Sequence, residues 1–167
     1  MHKIFDQRHL DFNIDFLYQV ISDVELYPSF LPWCTNCKIL SKDENAMLVE
    51  STMEHKGFKK KYTSSVKFIK LKDEYTIDIT AIDGAFKFLR SSWNLRDVEN
   101  SGTIVTFKID FEFKSKILNK LMYLWLSSIK NKVTSAFYAR LKARSMEIEK
   151  LRTFASTEPF EGNVSKI

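Results

Sequence analysis

The sequence predicts one α+β domain: a curved, seven-stranded antiparallel sheet wrapped around a long C-terminal helix, with two short helices after the first strand. Three observations carry that prediction. Apolar residues recur with period two between Lys38 and Lys114. They recur with helical period from about Lys116 to Leu151. The chain holds only four glycines and three prolines, which argues for long regular elements over a loop-built or disordered chain. With 167 residues and 44% hydrophobic content, it can bury a core without disulfides or metals.

The elements follow in order. Lys3 to Leu10 reads as a first strand. Phe16, Leu17, Val20 and Ile21 stand at helical spacing behind a capping Asn13. Next comes Tyr27-Pro28-Ser29-Phe30-Leu31-Pro32-Trp33-Cys34, where two prolines interleave with bulky apolar residues that loops usually avoid. Such a rigid turn needs an apolar receiver. A strand-like run begins at Lys38-Ile39-Leu40. Met47, Val49, Ser51 and Met53 then share one parity, as do Tyr75, Ile77, Ile79 and Ala81. In the cleanest run, Val105, Phe107, Ile109, Phe111 and Phe113 alternate with polar residues, so that strand is covered on one face only. Lys42-Asp43-Glu44-Asn45, Lys56-Gly57, Lys72-Asp73-Glu74, Asp83-Gly84 and Glu99-Asn100-Ser101-Gly102 mark the turns. The sequential order makes the strands antiparallel. Leu118, Met122, Trp125, Ile129, Val133, Phe137 and Leu141 form the stripe of the terminal helix, the cover a one-face-apolar sheet requires. A polar tail follows, and the domain is set at residues 1–152 with a flexible tail at 153–167.

Charge is uneven. Lys114 to Arg152 carries ten basic and two acidic residues, leaving a small acidic excess elsewhere. That stretch fits an anionic partner, phospholipid or RNA, or equally a solvated helix face with cations near its C-terminal end. Its beginning, Ile117 to Leu126, is apolar around almost the full circumference. Such a helix is either buried on all sides, under the Pro28–Cys34 turn or in a dimer, or it meets lipid. No secretory signal is visible, and no stretch approaches the roughly 20 apolar residues of a membrane span. Two cysteines without a secretory context fit free thiols in a reducing compartment.

Catalytic signals are weak. His2, His9 and His55 are scattered, with no metal-ligand spacing around them. Cys34-Thr35-Asn36-Cys37 is a CxxC that follows helices and opens a strand, the reverse of a thioredoxin setting, so no thiol chemistry is expected. Glu54 and His55 are adjacent in a strand and point to opposite faces. No nucleophile elbow, phosphate loop or dinucleotide fingerprint occurs. The sequence reads as a non-enzyme without metal or cofactor.

The segment Asp23-Val24-Glu25-Leu26-Tyr27-Pro28-Ser29-Phe30-Leu31-Pro32-Trp33-Cys34 closely resembles the ubiquinone-binding protein and RatA ribosome-association toxin family, a branch of the polyketide cyclase/START-like (SRPBCC) superfamily. Tyr62-Thr63-Ser64-Ser65-Val66, Phe86-Lys87-Phe88-Leu89 with Trp93, and Ile109-Asp110-Phe111-Glu112-Phe113-Lys114-Ser115 support the resemblance, which runs from about Lys3 to about Arg144. It implies a helix-grip (START-like) fold with a lipid cavity between sheet and helix. The implied function is binding and delivery of ubiquinone, or a related polyprenyl lipid, to respiratory or quinone-biosynthetic enzymes. The expected ligand contacts are Phe30, Leu31, Pro32, Trp33, Trp93, Phe111, Phe113, Leu121, Met122, Trp125 and Ile129. Lys116, Lys120, Leu124, Lys130 and Lys132 are the expected membrane or RNA contacts, on a cytoplasmic protein held peripherally at the inner face of the membrane. The alternative is a RatA-type regulator that binds the large ribosomal subunit and blocks subunit association, with Lys56, Lys59, Lys60 and Lys61 and the basic helix meeting rRNA phosphates. DNA is not among the expected partners.

Overall fold

The computed structural model describes residues 1–55 and 57–157, the side chains of residues 125, 127 and 154–157 excepted. Its elements are β1 (His2–Leu10), α1 (Ile14–Ser22), a 3-10 turn (Val24–Leu26), α2 (Tyr27–Phe30), β2 (Cys34–Lys42), β3 (Ala46–His55), β4 (Phe58–Lys70), β5 (Glu74–Gly84), β6 (Phe86–Val98), β7 (Gly102–Phe113) and α3 (Lys116–Thr157). Among the described residues the strands form one seven-stranded sheet ordered β1-β7-β6-β5-β4-β3-β2. Every neighbouring pair is antiparallel. The expected helix-grip architecture is the observed one. The chain starts on one edge strand, crosses by α1 and α2 to the other edge, and meanders back to pair β7 with β1.

Helix α1 forms where the Asn13 side chain accepts the Asp15 backbone N–H at 2.8 Å, satisfying one orphan donor of the first turn. Nine residues are marginal for an isolated helix, so its stability comes from burial of Ile14, Leu17, Val20 and Ile21, about 1.5–3 kcal/mol each as an upper estimate. The proline-rich segment is not a single turn. Pro28 sits in the first turn of α2, where its missing N–H costs nothing. Trp33 then adopts a left-handed backbone at φ 68° and delivers the chain into β2. That strand begins at Cys34, four residues before the expected start at Lys38, because the Trp33 carbonyl already accepts the Glu54 N–H at 2.8 Å.

Bulges at Cys34/Asn36, Ile39/Ser41, Thr63/Ser64 and Phe86/Phe88 bend the strands. At the β4–β5 bend, Gly84 takes φ +103°, and a Cβ there would lie 2.4 Å from the Lys61 carbonyl oxygen, so only glycine fits. Helix α3 is tied to the end of β7 by Asn119, whose amide both accepts from the Phe113 N–H and donates to the Phe113 carbonyl, each at 2.8 Å. Ser115 caps it through the Leu118 N–H at 3.3 Å. The helix continues to Thr157, past the expected end at Leu151, into the first residues assigned to the polar tail; residues 158–167 lie outside the described ones.

Candidate ligand-binding cavity

The buried side chains divide into two clusters. One joins α1, the central strands and the later turns of α3 through Leu17, Ile77, Trp93, Leu95, Phe137 and Leu141. The other gathers Phe86, Leu89, Phe111, Phe113 and Leu118 at the start of α3. Between them the sheet and helix do not meet. A partly open cavity of about 310 Å³ remains, walled by members of both clusters. The cause lies in the inward parity of three strands, where Ser51, Ser64 and Ser91 are buried at positions that alternation would fill with large side chains. Register sets Ser64 opposite Val49 and Ala81, and Ser91 opposite Ile79 and Ile109, so the small residues lie among apolar walls.

Aromatic residues dominate the remaining lining. Trp93 lies 4.3 Å from Phe107 and 5.0 Å from Phe137, ring centroid to centroid. Phe86 stacks on Phe113 at 4.6 Å and meets Tyr62 edge-on at 5.0 Å. Trp33 stands edge-on to His55 at 5.2 Å, with the Lys132 ammonium 5.8 Å from its ring. Polar groups in the wall are few and connected. The Tyr27 hydroxyl donates to the Ile21 carbonyl. Ser51 Oγ lies 3.4 Å from Cys37 Sγ. Burial raises the Tyr27 hydroxyl far above its usual range and pushes Tyr62 up to about 12, so both are neutral hydrogen-bonding groups.

Of the residues expected from the sequence to meet a ligand, Leu31, Pro32, Trp33, Trp93, Phe111, Phe113, Met122 and Ile129 line this cavity. Phe30 and Leu121 do not. Phe30 instead packs edge-on against Tyr27 and Phe137, bracing the wall from behind. The Trp125 side chain lies outside the described residues. Lys116 and Lys120 are exposed, and Leu124 is 70% exposed beside Ile117 at 71% and Tyr123 at 77%. The early turns of α3 therefore turn Leu118 and Met122 to the cavity and leave Ile117, Tyr123 and Leu124 open. Lys130 is held inward, donating to the Phe5 carbonyl at 2.7 Å and facing Asp6 at 3.5 Å. Lys56 lies outside the described residues, Lys60 lines the cavity, and Lys59 and Lys61 pair with Glu54 and Glu50 at 3.5 and 3.1 Å. Sequence reasoning missed the inward serines and Tyr62 as site residues, although their parity was visible.

The family described as polyketide cyclase / dehydrase and lipid transport matches residues 10–138. The chain belongs to that family. A START superfamily protein from Mycobacterium smegmatis shares the fold at TM-score 0.71 and 15% identity, over 86% of this chain and 99% of that one. A protein of Rickettsia prowazekii named ribosome association toxin RatA is 35% identical over 75% of this chain and 86% of its own length. A mitochondrial coenzyme Q-binding protein of Drosophila melanogaster is 24% identical over 86% of this chain and 60% of its own. The family's description thus spans enzymes and lipid carriers, while these relatives are named for binding and for ribosome association.

For this family member the chemistry available in the cavity is narrow. Glu54 points outward to Lys59 while His55 lines the cavity, so adjacency does not make them an acid–base pair. Among the described residues, no three His, Cys, Asp or Glu side chains gather as a metal site, and no helix is long and apolar enough to cross a membrane.

Proposed function

We propose that the cavity binds the head and first isoprenes of a polyprenyl quinone, ubiquinone or a close relative, and that the protein delivers it at a membrane surface to respiratory or quinone-biosynthetic enzymes without chemical change in the carrying step. The apolar, aromatic-walled space between sheet and helix carries this reading. Its volume stands at the lower end of the roughly 300–1,000 Å³ of small-molecule sites, enough for a ring and a short length of tail. Each buried methylene-sized group contributes about 0.8 kcal/mol, so partial burial of the tail holds the lipid and still lets it leave. The exposed Ile117, Tyr123 and Leu124, flanked by Lys116 and Lys120, have the composition of an interfacial anchor on the same turns whose other face lines the cavity. On this reading the protein is cytoplasmic and peripheral, and residues 1–152 are the binding domain.

A second reading, association with the large ribosomal subunit, is favoured by the name of the Rickettsia relative. It would recruit the outer lysines of β4 and the basic part of α3, several of which are already paired with carboxylates or backbone. Co-sedimentation across one salt series separates the two. The quinone reading expects binding to quinone-loaded liposomes that persists in part at high salt, and transfer of quinone to empty acceptor vesicles. Subunit binding that falls steeply with salt, without liposome binding or quinone transfer, favours the second reading and removes the first.

A further inference from the structure

We propose that Cys34 and Cys37 are a redox dithiol that reduces a quinone ring held in the cavity, making the carrier also a dithiol:quinone oxidoreductase. The inference rests on the quinone-binding reading above and adds a reaction to it.

A regular strand would place residues three apart on opposite faces. Here the bulge between Cys34 and Asn36 inserts one residue, Thr35 and Asn36 both face solvent, and the two thiols return to the same inner face. Both line the cavity, and Cys34 Sγ–H also donates to the Asn36 carbonyl at 3.7 Å, next to Cys37 in the chain. Both are free thiols. Cys37 also meets Ser51 Oγ at 3.4 Å, a polar contact on an otherwise apolar wall. The neighbouring Cys34, foremost, and Ser51 favour the Cys37 thiolate and hold its pKa below the usual thiol range, whereas Cys34 is raised by the neighbouring Cys37 and by burial. The pair thus has an attacking and a resolving member. Trp33, in its left-handed conformation, fixes the first cysteine against the cavity.

The electrons balance within the pair and the ring. The Cys37 thiolate adds to a ring carbon, forming an S–C bond, and a ring oxygen takes a proton. Cys34 gives up its proton and attacks the Cys37 sulfur. The S–S bond forms as the S–C bond breaks, the electron pair returns to the ring, and the second ring oxygen is protonated. One disulfide and one hydroquinone result, the thiols oxidised by two electrons and the quinone reduced by two. Thiol potentials of typical CxxC pairs lie well below that of a benzoquinone, so the step runs downhill.

The test uses the full chain, reduced, freed of reductant under argon, and mixed with a decyl-tailed dimethoxy-methyl-benzoquinone. Quenching of tryptophan fluorescence reads binding; intact mass, thiol titration and hydroquinone absorbance read reaction. The expected result is loss of both titratable thiols, a mass lower by two hydrogens, and equimolar hydroquinone at a rate that saturates with quinone. In Cys34→Ser, and equally in Cys37→Ser, hydroquinone formation should drop to background. Quenching with both thiols retained overturns the dithiol role and leaves the lipid-binding reading standing. Absence of quenching removes that reading and the dithiol role together. An equal rate in urea-unfolded protein assigns the oxidation to bulk thiol chemistry and also overturns the proposal.

Discussion

Ser91 sits at an inward position between Leu89 and Trp93, and its small side chain is part of why helix and sheet stand apart. Replacing it with leucine adds apolar volume to a space already bounded by Ile79 and Ile109. Ser91→Leu should therefore weaken quinone binding at least about tenfold, the equivalent of about 1.4 kcal/mol, while thermal stability stays level or rises. Isothermal titration and a thermal melt on the same preparation check it. Trp33 behaves differently because it is half-buried and borders open space. Trp33→Ala should cost less than the about 3–5 kcal/mol of a packed aromatic truncation, yet lower quinone affinity by a larger factor than it lowers stability. Equal losses in both would assign Trp33 to the core.

His2 yields a pH signature. Its ring is 5% exposed, lies 5.1 Å from Phe111, and leaves Nε2 buried without a hydrogen-bond partner. Burial, with the neighbouring N-terminal ammonium, holds its pKa below the ordinary histidine value of 6.5. The unfolded chain therefore binds a proton before the folded one does. His2 contributes its stability fully above pH 6.5 and loses it as pH falls through the lowered folded value. The melting temperature should decline on acidification from neutrality, and His2→Leu should flatten that limb. An unchanged slope in the variant would separate His2 from the acid sensitivity.

At the scale of elements, helix α3 presents two surfaces with one sequence. Leu118, Met122, Ile129, Val133, Phe137 and Leu141 follow the helical stripe read from spacing, and each faces the sheet or the cavity. The excess apolar residues of the first turns, ambiguous in the sequence between burial and lipid contact, are exposed at Ile117, Tyr123 and Leu124. Leu124→Glu should leave stability within about 0.5 kcal/mol, as expected for a surface site, and abolish co-sedimentation with liposomes. Retained sedimentation would move the membrane contact elsewhere. The strands were legible for a plain reason: alternation such as that of Val105 to Phe113 reports a face directly. The start of β2 at Cys34 and the four bulges were not legible, because a bulge depends on register with a partner strand and leaves the local apolar pattern nearly unchanged. The same limit hid the shared orientation of Cys34 and Cys37.

For the whole molecule, the layer arrangement follows from two facts a sequence displays, a one-face-apolar sheet and one amphipathic helix long enough to cover it. The cavity follows from a third that becomes visible only in three dimensions. Ser51, Ser64 and Ser91 are far apart in sequence, and their parity could be counted, but only strand order and register bring them into one wall. Phe30 and Leu121 stand among the contacts that the resemblance implies, but packing takes Phe30 behind the wall and leaves Leu121 off the lining. The proposed function belongs to this scale too, because it requires sheet, helix and the early turns of α3 to act together for lipid to enter and leave. The most direct measurement is mass spectrometry of the organic extract from protein purified natively, without added lipid, beside Ser91→Leu prepared identically. A polyprenyl quinone in molar proportion to the protein and strongly depleted in the variant is the predicted result; an extract free of quinone, from a protein that also fails to bind purified ubiquinone, contradicts it.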